Sequence, residues 1–435
     1  MLHHLGDQLL TVERLPYDFR DPVTTTGSLV HLLKSSLGSG ILAMPVAFKK
    51  AGLVAGALGT IFVGFVCTHC VYALVKTSQE VCVEAKKPSM GFAETCGAAF
   101  EYGPKRLRPW ANFAKTFVDY AMTCTYLAAL CVYVVFIAAN FKELVPEYKL
   151  SLETYCALTL VPLVLICQIR NLKWLVPFSA IANVFLVICF GITMYYIFTD
   201  LPNPHLISIP VSSTVIFAME GIGVVMPVEN EMKKPQQFLG CPGVLNVAMT
   251  IVIALYGIVG FFGYIKYGDA VQASVTLNLP AQCARILMAL AILFTYSLQF
   301  YVPMEMIWRK IHDKIHVRYH NVTVLLIRTM MVMIYRILTV VSVTVALAAA
   351  APDLELFIGL CGAIFLSSLG LLIPAIVDTV HKWDRNLGPF KWVLGKNIVI
   401  AFISLIALFA GSYNSIAQMI EKFDPDLTGC VDHVP

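Results

Sequence analysis

Two short texts of the same kind stand inside apolar stretches long enough to cross a bilayer. In the first, Gly38, Ser39, Gly40 and Ile41 precede Met44 and Pro45; in the second, Gly221 and Gly223 precede Met226 and Pro227. Glycine leaves helical geometry at little steric cost. A helix interrupted in hydrocarbon frees backbone N–H and C=O groups that find no water there, so protein, a ligand or a wet cavity must satisfy them. The amides of Ser39, Gly40 and Ile41, at the positive end of the half-helix that follows, suit a carboxylate, with Ser35 and Ser36 as nearby hydroxyls. In the second stretch the break runs from Met219 to Gly223, and the carbonyls of Phe217 and Ala218 can accept from an ammonium group. The competing reading of both texts is close helix packing through small residues.

Glu220 sits at the second break. A carboxylate at bilayer depth costs about 2.5–3.5 kcal/mol on insertion scales, so it has a purpose: a counter-charge, a proton carrier, or a cap on the N–H groups of the following half-helix. His69 lies well inside the second apolar stretch, and histidine is the side chain whose ordinary pKa lets modest shifts carry it across physiological pH. It is either a proton relay or a hydrogen-bonded core residue. Lys34 and Asp119 are gate partners on the cytoplasmic half, unless Lys34 only snorkels to the headgroups. Arg336 needs a carbonyl or carboxylate in the bundle. Tyr296 and Gln299 either line the cavity or pack.

The elements that must position these groups are transmembrane helices. Of 435 residues, 58% are hydrophobic and 13% charged, with a mean hydropathy of +0.76; soluble globules carry about 25% charged residues. Runs near the length of a membrane span fall at 28–48, 53–78, 112–140, 152–170, 175–199, 211–230, 244–266, 283–308, 328–350, 355–377 and 397–420, eleven in all. With the N-terminus inside, the loops on that side hold roughly 20 Lys and Arg residues against about 7 opposite, which sets the N-terminus in and the C-terminus out. Spans one to five and six to ten are then two inverted five-helix units, each opening on an interrupted helix, with helix 11 peripheral.

The expected organisation is a cytoplasmic tail (1–27), a first repeat (28–199), a second, inverted repeat (200–377), a cytoplasmic loop with helix 11 (378–420) and an outer tail (421–435). Residues 1–27 lack an apolar core, so no cleavable signal peptide is expected. In the loop 79–111, the stretch from Gly91 to Phe100 suits a short interfacial helix. The small net charge of +4 is dispersed, which argues against a nucleic-acid partner. No paired carboxylates, HExxH text, phosphate-binding glycine loop or trusted zinc spacing marks an enzyme or metal site.

Several collinear texts carry a family resemblance: His31 to Lys34 continuing to Pro45, Val118 and Asp119, Cys131 to Phe136, Ile169 to Leu172, Met219 to Gly223 continuing through Glu229 and Asn230 to Pro235, Thr276 to Pro280, and Phe294 to Pro303. From about residue 25 to 420 the chain resembles the proton-assisted amino-acid transporters, solute carrier family 36 of the amino acid/auxin permease group. The resemblance implies an all-α polytopic membrane protein with a LeuT-type 5+5 inverted repeat. It also implies proton-driven movement of small neutral amino acids such as glycine, alanine and proline, at the plasma membrane or the lysosome. Members of that family carry a histidine at the place of His69, which strengthens its reading as the proton-coupling residue. The coupling ion would be the proton, with no cofactor.

Departures exist: the loop at 141–151 is short, and a cysteine expected within it is absent. Cys156 and Cys283 fall on the oxidising face, and a disulfide between them is an expectation. The sequon at Asn321 lies in an expected cytoplasmic loop, and the dileucine-like text at Asp7 to Leu10 leaves the membrane open. Two other functions stay open: an amino-acid sensor signalling through cytoplasmic partners with little flux, and a sodium-coupled carrier.

Overall fold

The computed structural model describes residues 24–36, 39–144, 152–168, 172–199, 226, 229–230, 232, 235–240, 243–272, 274–279, 282–311, 327, 359–385 and 387–423. Among them, regular structure is helical apart from one bridge residue at Met232. The second break (Phe217, Ala218, Met219, Glu220, Gly221, Gly223), Gly38, Arg336, Asn321 and Cys430 lie outside the described residues, as do the side chains of Lys34, Ser35 and Ser39.

The first apolar stretch is α1 (Thr25–Ser36), a 3₁₀ segment (Ser39–Ala43) and α2 (Met44–Ala51). Pro45 fits the start of α2, where its missing N–H costs nothing. Gly52 closes α2 with φ 81, a left-handed value glycine adopts freely, and its N–H bonds the Phe48 carbonyl at 2.8 Å. The chain then turns into α3 (Leu53–Glu84), α4 (Phe92–Glu101), α5 (Ala111–Leu144), α6 (Leu152–Cys167) and α7 (Leu172–Phe198). Beyond residue 243 come α8 (Val244–Tyr267), the single turn α9 (Val275–Asn278), α10 (Gln282–Ile311), a π-helical segment (Gly362–Leu372) running into α11 (Ile373–Lys382), and α12 (Trp392–Phe423).

Among the described residues, six helical stretches are long and apolar enough to cross a membrane: Leu53–Glu84, Arg108–Lys142, Ala180–Phe198, Val244–Ala270, Gly359–Lys382 and Pro389–Gln418. Thr154–Cys167 and Gln282–Ser297 are shorter apolar helices. Several helices outrun the apolar runs that announce them. The run at 53–78 becomes a helix reaching Glu84, and the run at 355–377 one reaching Lys382, because polar residues with good helix propensity extend a helix beyond the hydrocarbon. The interfacial helix expected from Gly91 is α4, and the Glu94 carboxylate accepts from the Gly91 N–H at 3.2 Å to close its first turn.

Helices in lipid gain little from the hydrophobic effect and are held by close contact and polar bonds. α8 packs on α1, α2 and α3. Its glycines allow backbone approach: a Cβ at Gly260 would stand 2.4 Å from the Phe48 ring, and one at Gly263 would stand 2.5 Å from Pro45 Cγ. α10 lies between α5 and α7. Outward faces carry exposed apolar side chains, such as Leu58 and Phe65 on α3, Leu158 and Leu165 on α6, and Phe402 and Phe409 on α12, as a lipid-facing surface requires.

Candidate functional site

The interruption after Ser36 is supported by α8. A helix end leaves carbonyls with no intrahelical donor. Tyr256, 1% exposed, donates its hydroxyl to the Ser36 carbonyl at 2.7 Å. Phe48, fully buried, locks α2 into the glycine hollow of α8 and against Gly56 of α3. Between these supports run Ser39, Gly40 and Ile41, with Gly40 partly open and Ile41 buried. The first amides of any helical segment lack intrahelical acceptors, so this is a place where backbone N–H groups can meet an anion. The short turn α9 packs against the same 3₁₀ segment. Arg285 on α10 holds α9 in place, its Nη2 donating to the carbonyls of Leu277 and Leu279 at 2.8 and 3.0 Å.

His69 stands at the middle of α3. It is partly exposed, and its Nε2 is buried with no hydrogen-bond partner among the described residues. It lies in the electrostatic field of Asp378, Lys382 and Lys396. Tyr296 is fully buried and stacks on Phe300 at 6.3 Å. Gln299, three residues on, is partly buried. Asp119 is half-buried on α5 beside the buried Val118. The structure does not join Cys156 and Cys283 in the expected disulfide: Cys156 is buried within α6, and Cys283 is exposed at the start of α10.

A second polar cluster lies at the ends of α3, α11 and α12. The Asp378 carboxylate is fully buried, with Lys382 Nζ at 2.6 Å and Lys396 Nζ at 3.5 Å. Asn397 donates to the same carboxylate and to Thr379, each at 2.9 Å. The His381 ring is also fully buried; its Nε2 meets Glu80 at 2.8 Å. Arg385 grips Glu84 with both Nη atoms, one contact at 2.6 Å. That bond raises the pKa of the guanidinium. Gln79 on α3 reaches the fully buried Glu229 at 2.9 Å. Sequence reading missed this cluster because Asp378, His381 and Arg385 fall just past the apolar run and read as loop residues. The available signal was the four-residue spacing shared by Glu80 and Glu84, which puts both on one face of α3, and by His381 and Arg385, the latter in the turn that follows α11.

Interrupted helix, glycine-mediated packing and a buried polar cluster together describe an all-helical membrane protein of the transporter kind. The chain is similar to the solved manganese transporter of Eremococcus coleocola, with a TM-score of 0.50 at 14% identity, covering 92% of each chain. Another structure of that transporter, a mutant, gives a TM-score of 0.51 at 13% identity over 98% of this chain and 92% of that one. The shared fold is LeuT-like. The family described as transmembrane amino acid transporter protein matches residues 21–417, and the chain belongs to it.

Two relatives agree. The "Proton-coupled amino acid transporter-like protein pathetic" of Drosophila melanogaster is 41% identical over 426 residues, covering 94% of this chain and 88% of the relative. The "Probable amino acid transporter skat-1" of Caenorhabditis elegans is 25% identical, covering 93% and 92%. Relatives and structural neighbours are transporters, not enzymes.

Proposed function

We propose that this protein carries small neutral amino acids across a plasma or lysosomal membrane by proton-coupled symport with alternating access. The observation that carries the reading is the end of α1 at Ser36 followed by the 3₁₀ segment Ser39–Ala43, within a chain of the amino-acid-transporter family. The proposed architecture is eleven spans in a 5+5 inverted repeat with helix 11 outside it, both termini of the repeat units placed as the loop charges dictate.

In this reading the amides of Ser39, Gly40 and Ile41 take the substrate carboxylate, assisted by Gly38, Ser35 and Ser36. The carbonyls of Phe217 and Ala218 and the segment Met219 to Gly223, with Glu220, take the ammonium. Tyr296 and Gln299 bound the cavity, and Lys34 with Asp119 gates it. His69 carries the proton, which suits a ring whose Nε2 is buried without a partner among the described residues. The proton-coupled relative supports the same coupling ion. One proton supplies about 1.36 kcal/mol per pH unit and about 2.3 kcal/mol per 100 mV. Together these sustain a gradient of roughly 500-fold, enough for concentrative uptake without a nucleotide.

The test is uptake of labelled glycine, alanine and proline into proteoliposomes under an imposed pH gradient, for the wild type and His69→Ala. Uptake should rise as the external pH falls and be unchanged when choline replaces sodium, and His69→Ala should lose the pH response. Uptake indifferent to the gradient would discard proton coupling, and binding without flux would favour a sensor.

A further inference from the structure

On the side that the loop charges assign to the cytoplasm, a cleft of about 290 Å³ opens between α4, α5 and α11. Its walls include Phe100 from α4, Phe113 and Phe117 from α5, and Ile373 and Ile376 from α11. Every lining side chain is apolar apart from the Cys96 thiol and the indole N–H of Trp110. Water gains nothing in such a space, since a held water needs polar partners. Yet Phe113 is 60% exposed and Phe117 51%, so the cleft is open to its surroundings. Trp110, 56% exposed, stands at the rim with its ring edge-on to Phe113 at 5.6 Å. A tryptophan there marks the level where hydrocarbon gives way to headgroups.

The same rim is basic. Lys105, Arg106 and Arg108 are all exposed in the link between α4 and α5, and Lys115 follows one turn into α5; Glu101 is the exposed acid beside them. Arg108 Nε donates to the Gly103 carbonyl at 3.3 Å, fixing the link. A Cβ at Gly103 would come within 3.1 Å of Val380, so the link is pressed against α11. An apolar slot in contact with the hydrocarbon, closed at headgroup level by clustered cations, matches one kind of molecule: a lipid with a negative headgroup.

We propose that this cleft binds an anionic phospholipid, with one acyl chain between α5 and α11 and its phosphate over Lys105, Arg106 and Arg108. A lipid seated there braces α11, the helix that carries Asp378 and His381. The inference stands apart from the transport reading, because its test measures lipid retention and not flux.

Full-length protein in detergent is examined by native mass spectrometry with added phosphatidylserine, phosphatidylcholine or cholesterol. One phosphatidylserine should be retained at least about tenfold better than phosphatidylcholine. The triple variant Lys105→Gln, Arg106→Gln, Arg108→Gln should lose that preference, and Ala114→Phe, which fills the slot, should lose the retained lipid itself. On the wild-type protein, phosphatidylserine with a photoreactive acyl chain should label the peptide holding Phe113 to Phe117. Equal retention of both phospholipids, displacement by cholesterol, or labelling confined to other helices would overturn the proposal.

Discussion

Tyr256 of α8 donates its hydroxyl to the carbonyl of Ser36, the last residue of α1, at 2.7 Å. The bond is buried. Among the described residues, Tyr256 is the side chain that meets this carbonyl. Tyr256→Phe keeps the ring and its packing but leaves that carbonyl orphaned, a loss of about 1–3 kcal/mol. The expected outcome is a correctly inserted protein with a lower melting temperature in detergent and reduced uptake in proteoliposomes. Unchanged melting would mean that the interruption needs no support from α8.

Close approach at Gly260 makes a steric prediction. A methyl group there meets the Phe48 ring at 2.4 Å, and overpacking of this kind costs about 1–3 kcal/mol. Gly260→Ala should melt earlier than the wild type. Adding Phe48→Leu should recover part of the loss. Gly257→Ala, where a Cβ meets nothing within 4 Å, is the control and should leave melting unchanged, as fluorescence-detected chromatography after heating would show.

Asp378 offers a test of buried charge. Its carboxylate pairs with Lys382 through one oxygen and faces Lys396 with the other. Asp378→Asn leaves two partly exposed cations facing each other without it and removes the charge that Asn397 also bonds, a loss of about 1–3 kcal/mol. The variant should express poorly or melt well below the wild type. Lys382→Gln should be milder, because Lys396 remains at 3.5 Å.

Thiol reactivity gives a pH-dependent reading of α4. The thiolate is the nucleophile, and burial pushes the Cys96 thiol above its ordinary pKa. A raised pKa means less thiolate at any given pH, so Cys96 should stay unlabelled by a water-soluble maleimide even when the pH is raised from neutral to mildly alkaline. Cys283, exposed at the start of α10, should be labelled. Mass mapping of the labelled peptides checks both. An impermeant reagent that reaches Cys283 only from outside the cell would also fix the orientation.

How much of this was legible in the sequence depends on what kind of force placed each residue. Apolar runs gave α3, α5, α8 and α12 because hydrocarbon thickness is a property of the run itself, and the texts around Gly40 marked where α1 gives way to a 3₁₀ segment. The π-helical stretch Gly362–Leu372 left no such mark. Its hydroxyls turn back on the helix, Ser368 onto the Ile364 carbonyl at 2.5 Å, while Ser404 of α12 reaches the Ser367 carbonyl at 2.6 Å. Geometry set by a neighbouring helix cannot be read from one strip of chain. Tyr256 was hidden for the same reason: its partner lies 220 residues away. The disulfide expected between Cys156 and Cys283 is not made, because an expected common face of the membrane does not by itself bring two thiols within bonding reach.

The two pairs joining α3 to α11 have a further consequence for motion. Glu80 to His381 and Glu84 to Arg385 share one sequence offset, 301 residues, so the helices run side by side like two rulers whose marks coincide. Sliding α11 by one turn, about 5.4 Å, in one direction sets His381 at Glu84 but leaves Glu80 facing Val377 and carries Arg385 beyond the end of α3. In the other direction Arg385 meets Glu80, while His381 arrives at Lys76. Neither displaced position satisfies both acids. The joint therefore has one low notch with ridges on either side, and a rearrangement of α11 that spares this notch must pivot or bend above it, where the π-helical residues lie.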